Sequence, residues 1–164
     1  ARQGEAKNSS NSVKHYTREL QMVDTDRLLG HWRLVSFREQ RPDGSWFDAL
    51  GPNAEGCISY WLSGHMQVLI GGRDRPRFRG AWSSIPDSDK AACLDRMVAY
   101  AGRFSVAQDR LLHHVDVCWI PNWEGRDLVR IPSFPAQNRL LLATEAAVDA
   151  RQRPMQEVLW ERVA

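Results

Sequence analysis

The chain has 164 residues, the size of one ordinary domain and short for two. Hydrophobic residues make up 43%, charged residues 26%, and there are seven Trp, so apolar burial can offset chain entropy and wholesale disorder is excluded. The formal charge of +2, from 22 basic and 20 acidic residues, lacks the basic excess that phosphate-backbone binding leaves in a sequence, so no nucleic-acid partner is expected.

Lys7, Lys14 and Lys90 are the only lysines among those basic residues. Guanidinium forks for anions or a general coding bias would both give that ratio. Cys57, Cys93 and Cys118 are odd in number, scattered and without a CxxC, which argues against a disulfide framework and a structural zinc site. A reducing compartment is the expectation. No run approaches the roughly 20 apolar residues of a membrane-spanning helix. The opening stretch, Ala1 to Ser12, is polar rather than basic-then-apolar. A soluble, cytoplasmic protein is expected, with a leader removed before Ala1 as the alternative; oligomeric state is left open.

Residues 1–25 are polar, include Asn8-Ser9-Ser10-Asn11-Ser12 and show no apolar alternation, so a flexible arm is expected there and a folded domain over 26–164. Gly30 to Arg38 reads as a first strand ended by the turn Arg41-Pro42-Asp43-Gly44. Cys57 to Leu62 and His65 to Ile70 flank Ser63-Gly64 and read as a hairpin. From Asp87, a potential N-cap, Ala91, Ala92, Leu94, Met97 and Val98 recur at helical spacing, predicting one helix that runs on until Gly102. Arg103 to Val106 and Leu111 to Trp119 form the next expected hairpin, followed by strands over Asp127 to Phe134, Leu140 to Thr144 and Glu157 to Val163. About eight antiparallel strands with one inserted helix and no βαβ rhythm predict an all-β, up-and-down barrel, with an open sandwich as the rival.

Particular residues sharpen this. Gly30-His31-Trp32 matches the G-x-W opening of lipocalins, and Leu159-Trp160-Glu161-Arg162 resembles the late strand whose Arg covers that Trp in the calycin group. With them stand Gly56 to Tyr60, Ser63-Gly64-His65-Met66, Tyr100-Ala101-Gly102, His113-His114-Val115, Pro121-Asn122-Trp123, Arg130 and Trp160-x-Arg162. The ordered set resembles the lipocalin-like domain family of bacteria and fungi over about residues 28–163. That resemblance implies an eight-stranded, calyx-shaped barrel without implying a particular reaction.

Strand alternation from Leu111 to Trp119 puts His113, Val115, Val117 and Trp119 on one face and His114, Asp116 and Cys118 on the other. The first set is more apolar and is assigned to the interior. An inward His113 would donate to a ligand carbonyl, take a proton from an acidic carbon, or simply hydrogen-bond in the core. Arg130 lies between Val129 and Ile131. It would bind a carboxylate or enolate, or pair with Asp116 or Asp127 across strands. His113 and Arg130 are thus the candidate catalytic residues. Tyr60, Trp61, Trp119 and Trp123, with Phe104 and Met66, supply candidate walls for a planar apolar ligand. His114-x-Asp116-x-Cys118 spreads too far along a strand to hold one metal ion, so no metal site is assigned. Gly71-Gly72-Arg73-Asp74-Arg75 lacks both phosphate-loop patterns, and neither G-x-S-x-G nor HExxH occurs.

The leading expectation is a small, largely apolar, aromatic or polyketide-like molecule bound inside the barrel. A cofactor-independent cyclase, isomerase or dehydratase in the same cavity is the second reading, and a filled barrel that contacts other proteins is the third. None needs a cofactor.

Overall fold

The computed structural model describes residues 23–144 and 154–163. The arm expected over residues 1–25 lies almost wholly outside the described residues. A four-residue helix, α1 (Thr25–Leu28), is capped by the Asp24 carboxylate, which accepts from the Asp26 amide at 3.1 Å. It leads into β1 (Gly30–Gln40), β2 (Trp46–Asp48), β3 (Glu55–Tyr60) and β4 (His65–Gly71). Helix α2 (Asp87–Leu94) follows, then β5 (Met97–Ala107), β6 (Arg110–Cys118), β7 (Asp127–Ala136), β8 (Arg139–Ala143) and β9 (Gln156–Arg162). Every neighbouring pair is antiparallel. The order β1-β3-β4-β5-β6-β7-β8-β9 closes through β1–β9 pairing, and β2 adds to β1 outside the ring. This is an eight-stranded barrel with one extra strand, and closure satisfies the ladder groups that a sandwich would leave at its edges.

Three expectations need correction. The helix ends at Leu94 rather than continuing to Gly102, because Met97 to Arg103 pair residue for residue with Gly71 back to His65. Helical spacing of apolar residues carried on by coincidence into a strand whose ladder bonds decide its conformation. β2 follows the Pro–Gly turn and was not signalled by its three residues. Finally, a β-bulge opposite Ala101 and Gly102 shifts the phase of β6, so that Cys118 is buried and Val117 is 59% exposed. His113 and Val115 keep their inward setting, both nearly inaccessible. Gly102 is required at this bulge: a Cβ there would overlap the His114 carbonyl oxygen.

Antiparallel order puts the start of β1, the three short hairpin turns and the end of β9 at one end of the barrel. That end is capped. Trp32 is fully buried, its Nε1 donates to the Leu28 carbonyl at 2.8 Å, and the Arg162 guanidinium lies 4.1 Å over its ring. Arg162 also donates to the carbonyls of Leu29 and Arg27, both at 2.6 Å. The indole and guanidinium thus lock α1 across the barrel floor, where the last helical carbonyls would otherwise lack partners. Gly30, at φ +119°, is the residue that lets Arg162 approach; a Cβ there would sit 2.8 Å from its Nη1.

Candidate functional site

Among the described residues the buried polar side chains besides the tyrosines are Ser59 and His113, and His113 is the one with no accessible surface. His113, on β6, is fully buried, and both of its ring nitrogens meet phenol hydroxyls: Tyr60 Oη at 2.8 Å from Nε2 and Tyr100 Oη at 2.9 Å from Nδ1. β3 delivers Tyr60, and β5 delivers Tyr100 from the inward phase it shares with Gly102 and Phe104. Phe104 packs edge-on against Tyr60 with ring centroids 5.0 Å apart, fixing that phenol from the side. Trp123, in the short 3-10 turn Pro121–Trp123 between β6 and β7, stands edge-on to Tyr100 at 6.5 Å.

Burial pushes the His113 pKa well below the ordinary imidazole value, and the Arg130 guanidinium pushes the same way, with His114 adding to it. His113 is therefore neutral at physiological pH. Burial likewise raises the Tyr60 pKa far above the usual phenol range, reinforced by Tyr100 and opposed by Arg130. A neutral imidazole has one N–H and one lone pair. Of its two hydroxyl neighbours, one must therefore donate to the ring and the other must accept from it.

Arg130 shares the phase of Leu128 on β7 and pairs in register with Leu111, while Val129 is 41% exposed. It is half-buried, and its Nη1 donates to the Val129 carbonyl at 3.0 Å. Neither carboxylate considered as its partner is engaged with it: Asp127 bonds His114 and Asp116 faces Arg103. Met66 is buried and in register with Tyr60. Trp119 is half-buried and borders an outer groove of about 530 Å³ with Leu69, Ala99, Ala101 and Val117. Its Nε1 is buried without a hydrogen-bond partner. Trp61 lies beyond the end of β3, 44% exposed, away from the interior wall assigned to it from sequence.

The structure thus gathers Tyr60, Phe104 and His113, with Arg130 close enough to bias the titration of both Tyr60 and His113, and leaves Trp119 on the outer wall. Tyr100 was missed from sequence because it fell inside the overextended helix; its alternation with Gly102 and Phe104 was the available signal. Among the described residues, no three His, Cys, Asp or Glu side chains group as metal ligands.

A closed antiparallel barrel with a capped floor and a polar chain across its core defines a small calyx-type protein. The lipocalin-like domain family matches residues 29–163, and the chain belongs to that family. No curated protein matches the sequence. Among solved structures, a redesigned beta barrel is similar at TM-score 0.41 and 10% identity, covering 85% of this chain and 94% of its own. No helix among the described residues is long and apolar enough to cross a membrane.

Proposed function

We propose that the barrel binds a small, largely apolar molecule, aromatic or polyketide-like in character, with its polar group held near the Tyr60–His113–Tyr100 chain and an acidic group, where present, at Arg130. The observation that carries this reading is the chain itself. A filled core is stabilised as well or better by Leu and Val than by three polar side chains that each demand a partner. Tyr60 is 1% exposed and has His113 as its hydrogen-bond partner, so the economical arrangement has Tyr60 donating to Nε2 and Nδ1–H donating to Tyr100. The Tyr100 oxygen then accepts from the ring, and Trp123 packs edge-on to the Tyr100 ring. Trp123, Phe104 and Tyr100 supply aromatic walls, and guest burial supplies the affinity.

A second reading rests on the same chain. With a hydroxyl on each nitrogen, the imidazole can take a proton at one and release it at the other, as a cofactor-independent isomerase, cyclase or dehydratase requires.

Native mass spectrometry of freshly purified protein tests for a retained small molecule, and titration with anilinonaphthalene sulfonate, an aromatic anion, tests the pocket directly. Saturable binding that weakens about tenfold in Arg130→Met and also falls in Tyr100→Phe is expected. An empty barrel with no saturable response would mean a filled core and an interaction module instead.

A further inference from the structure

We propose that the outer face of the barrel carries a second, independent site: a Ser105–His114–Asp127 hydrolytic triad acting on small activated esters. The three residues come from three adjacent strands, β5, β6 and β7, and all point outward. The Ser105 hydroxyl is 2.7 Å from His114 Nε2, and His114 Nδ1 is 2.6 Å from the Asp127 carboxylate. Asp127 pairs in register with His114, and Ser105 sits one diagonal step away across β5–β6.

The tautomer follows from the partners. A carboxylate only accepts, so it fixes the proton on Nδ1 and leaves Nε2 as the lone-pair nitrogen facing the serine. Ser105 therefore donates to His114, the polarity that a nucleophile and its general base need. Two other histidines touch serines, His31 Nδ1 with Ser59 at 2.7 Å and His65 Nδ1 with Ser63 at 3.1 Å. His114 differs in having a carboxylate on the opposite nitrogen.

A concavity of about 330 Å³ lies beside the imidazole, lined by Arg103, Gly125 and Arg126 along with His114 and Asp127. It has ample room for a short acyl group, and its lining reaches His114, the base, while Ser105 stands outside that lining as the partner of His114 Nε2. Arg103 precedes Ser105 by two residues on the same face of β5, about 7 Å along the strand. Its Nε is 3.8 Å from Asp116, a long contact that leaves the guanidinium able to turn toward a developing oxyanion.

The chemistry balances with water as the only co-reactant. Ser105 Oγ bonds to the ester carbonyl carbon as its proton passes to His114 Nε2. The carbon–alkoxy bond breaks, and the alcohol leaves with that proton. Water, deprotonated by Nε2, then attacks the acyl-serine, releasing the carboxylic acid and returning the proton to Ser105. Ser105 and His114 are the catalytic residues; Asp127 is a positioning residue.

The test uses the full chain. A fluorophosphonate probe followed by peptide mass spectrometry should modify Ser105 in preference to exposed Ser88, and p-nitrophenyl acetate should leave an acetyl group on the same residue. Labelling should vanish in Ser105→Ala and slow by at least about a hundredfold in His114→Gln. Asp127→Asn should lower kcat for the ester while leaving KM unchanged, a split that loss of a purely structural contact would not give. Thermal melts confirm folding of each variant. Labelling of Ser105 at the rate of Ser88, labelling unaffected by His114→Gln, or ester turnover without acylation of Ser105 would each overturn the proposal.

Discussion

Tyr60→Phe removes one oxygen from the centre of the barrel and leaves the ring in place. The contact with Phe104 at 5.0 Å survives, so the substitution isolates the hydroxyl that faces His113 Nε2 at 2.8 Å. With that donor gone, the imidazole keeps an unpaired lone pair in a site closed to water, or shifts its proton and keeps an unpaired N–H instead. Either way one buried polar group goes unsatisfied, at a cost of about 1–3 kcal/mol. For a chain of this length that corresponds to a fall of about 2–12 °C in Tm. Urea unfolding monitored by circular dichroism and Trp fluorescence measures it, with the slope m expected to stay constant because the exposed surface hardly changes. A loss below about 0.5 kcal/mol at unchanged m would show that the hydroxyl is not satisfying the ring, and the proton accounting for the chain would fail with it.

The pH dependence has a definite sign. Below about pH 6.5 the unfolded chain protonates His113 while the folded one, with Tyr60, Tyr100 and Arg130 around the ring and His114 next to it, does not. Stability is therefore lost as pH falls from about 6.5 toward the depressed folded value, by up to about 1.4 kcal/mol per unit for this group. Tyr60 acts in the opposite range, its raised pKa removing stability above about pH 10. Imidazole resonances of His113 followed by NMR should stay constant down to pH 6, and a midpoint near 6.5 would contradict the burial argument. Arg162→Ala should cost about 2–4 kcal/mol through two lost carbonyl bonds and the indole contact, read by urea unfolding; an effect under about 1 kcal/mol would mean the floor is held otherwise. Gly102→Ala, which forces a methyl into the His114 carbonyl, should destabilise by about 2–3 kcal/mol or more in the same assay, and a neutral result would refute the close approach.

The barrel was legible because its signals are local: alternation on β4 and β9, the Ser63-Gly64 turn, and the Trp32 and Arg162 signature at the floor. The breaks came where a non-local bond overruled local spacing. Met97 and Val98 continue a helical stripe, yet the β4 edge binds their backbone. The alternation of β6 predicts an inward Val117, and one bulge opposite Ala101 and Gly102 reverses it while leaving His113 inward. Arg130 could be singled out from its apolar neighbours, but Tyr100 could not be joined to Tyr60 before their strands were. The surface cluster was less visible still. Ser105, His114 and Asp127 form no linear motif, since their spacing is set by cross-strand register.

His113 and His114 are consecutive residues placed in opposite environments by one strand pleat, and this separates the two proposed sites. The inner imidazole is fully buried between two phenols; the outer one bonds a carboxylate that is half exposed. A guest inside the barrel cannot reach Ser105 without leaving, because the β5–β6 wall lies between them. The two sites should therefore fail independently. His114→Gln should slow Ser105 labelling by at least about a hundredfold while anilinonaphthalene sulfonate binds as before, and Tyr100→Phe should weaken binding of that anion while Ser105 labels at the same rate. Coupled loss in both variants would mean that the wall deforms around the Gly102 bulge, where the two faces of the β5–β6 pair share a backbone distortion.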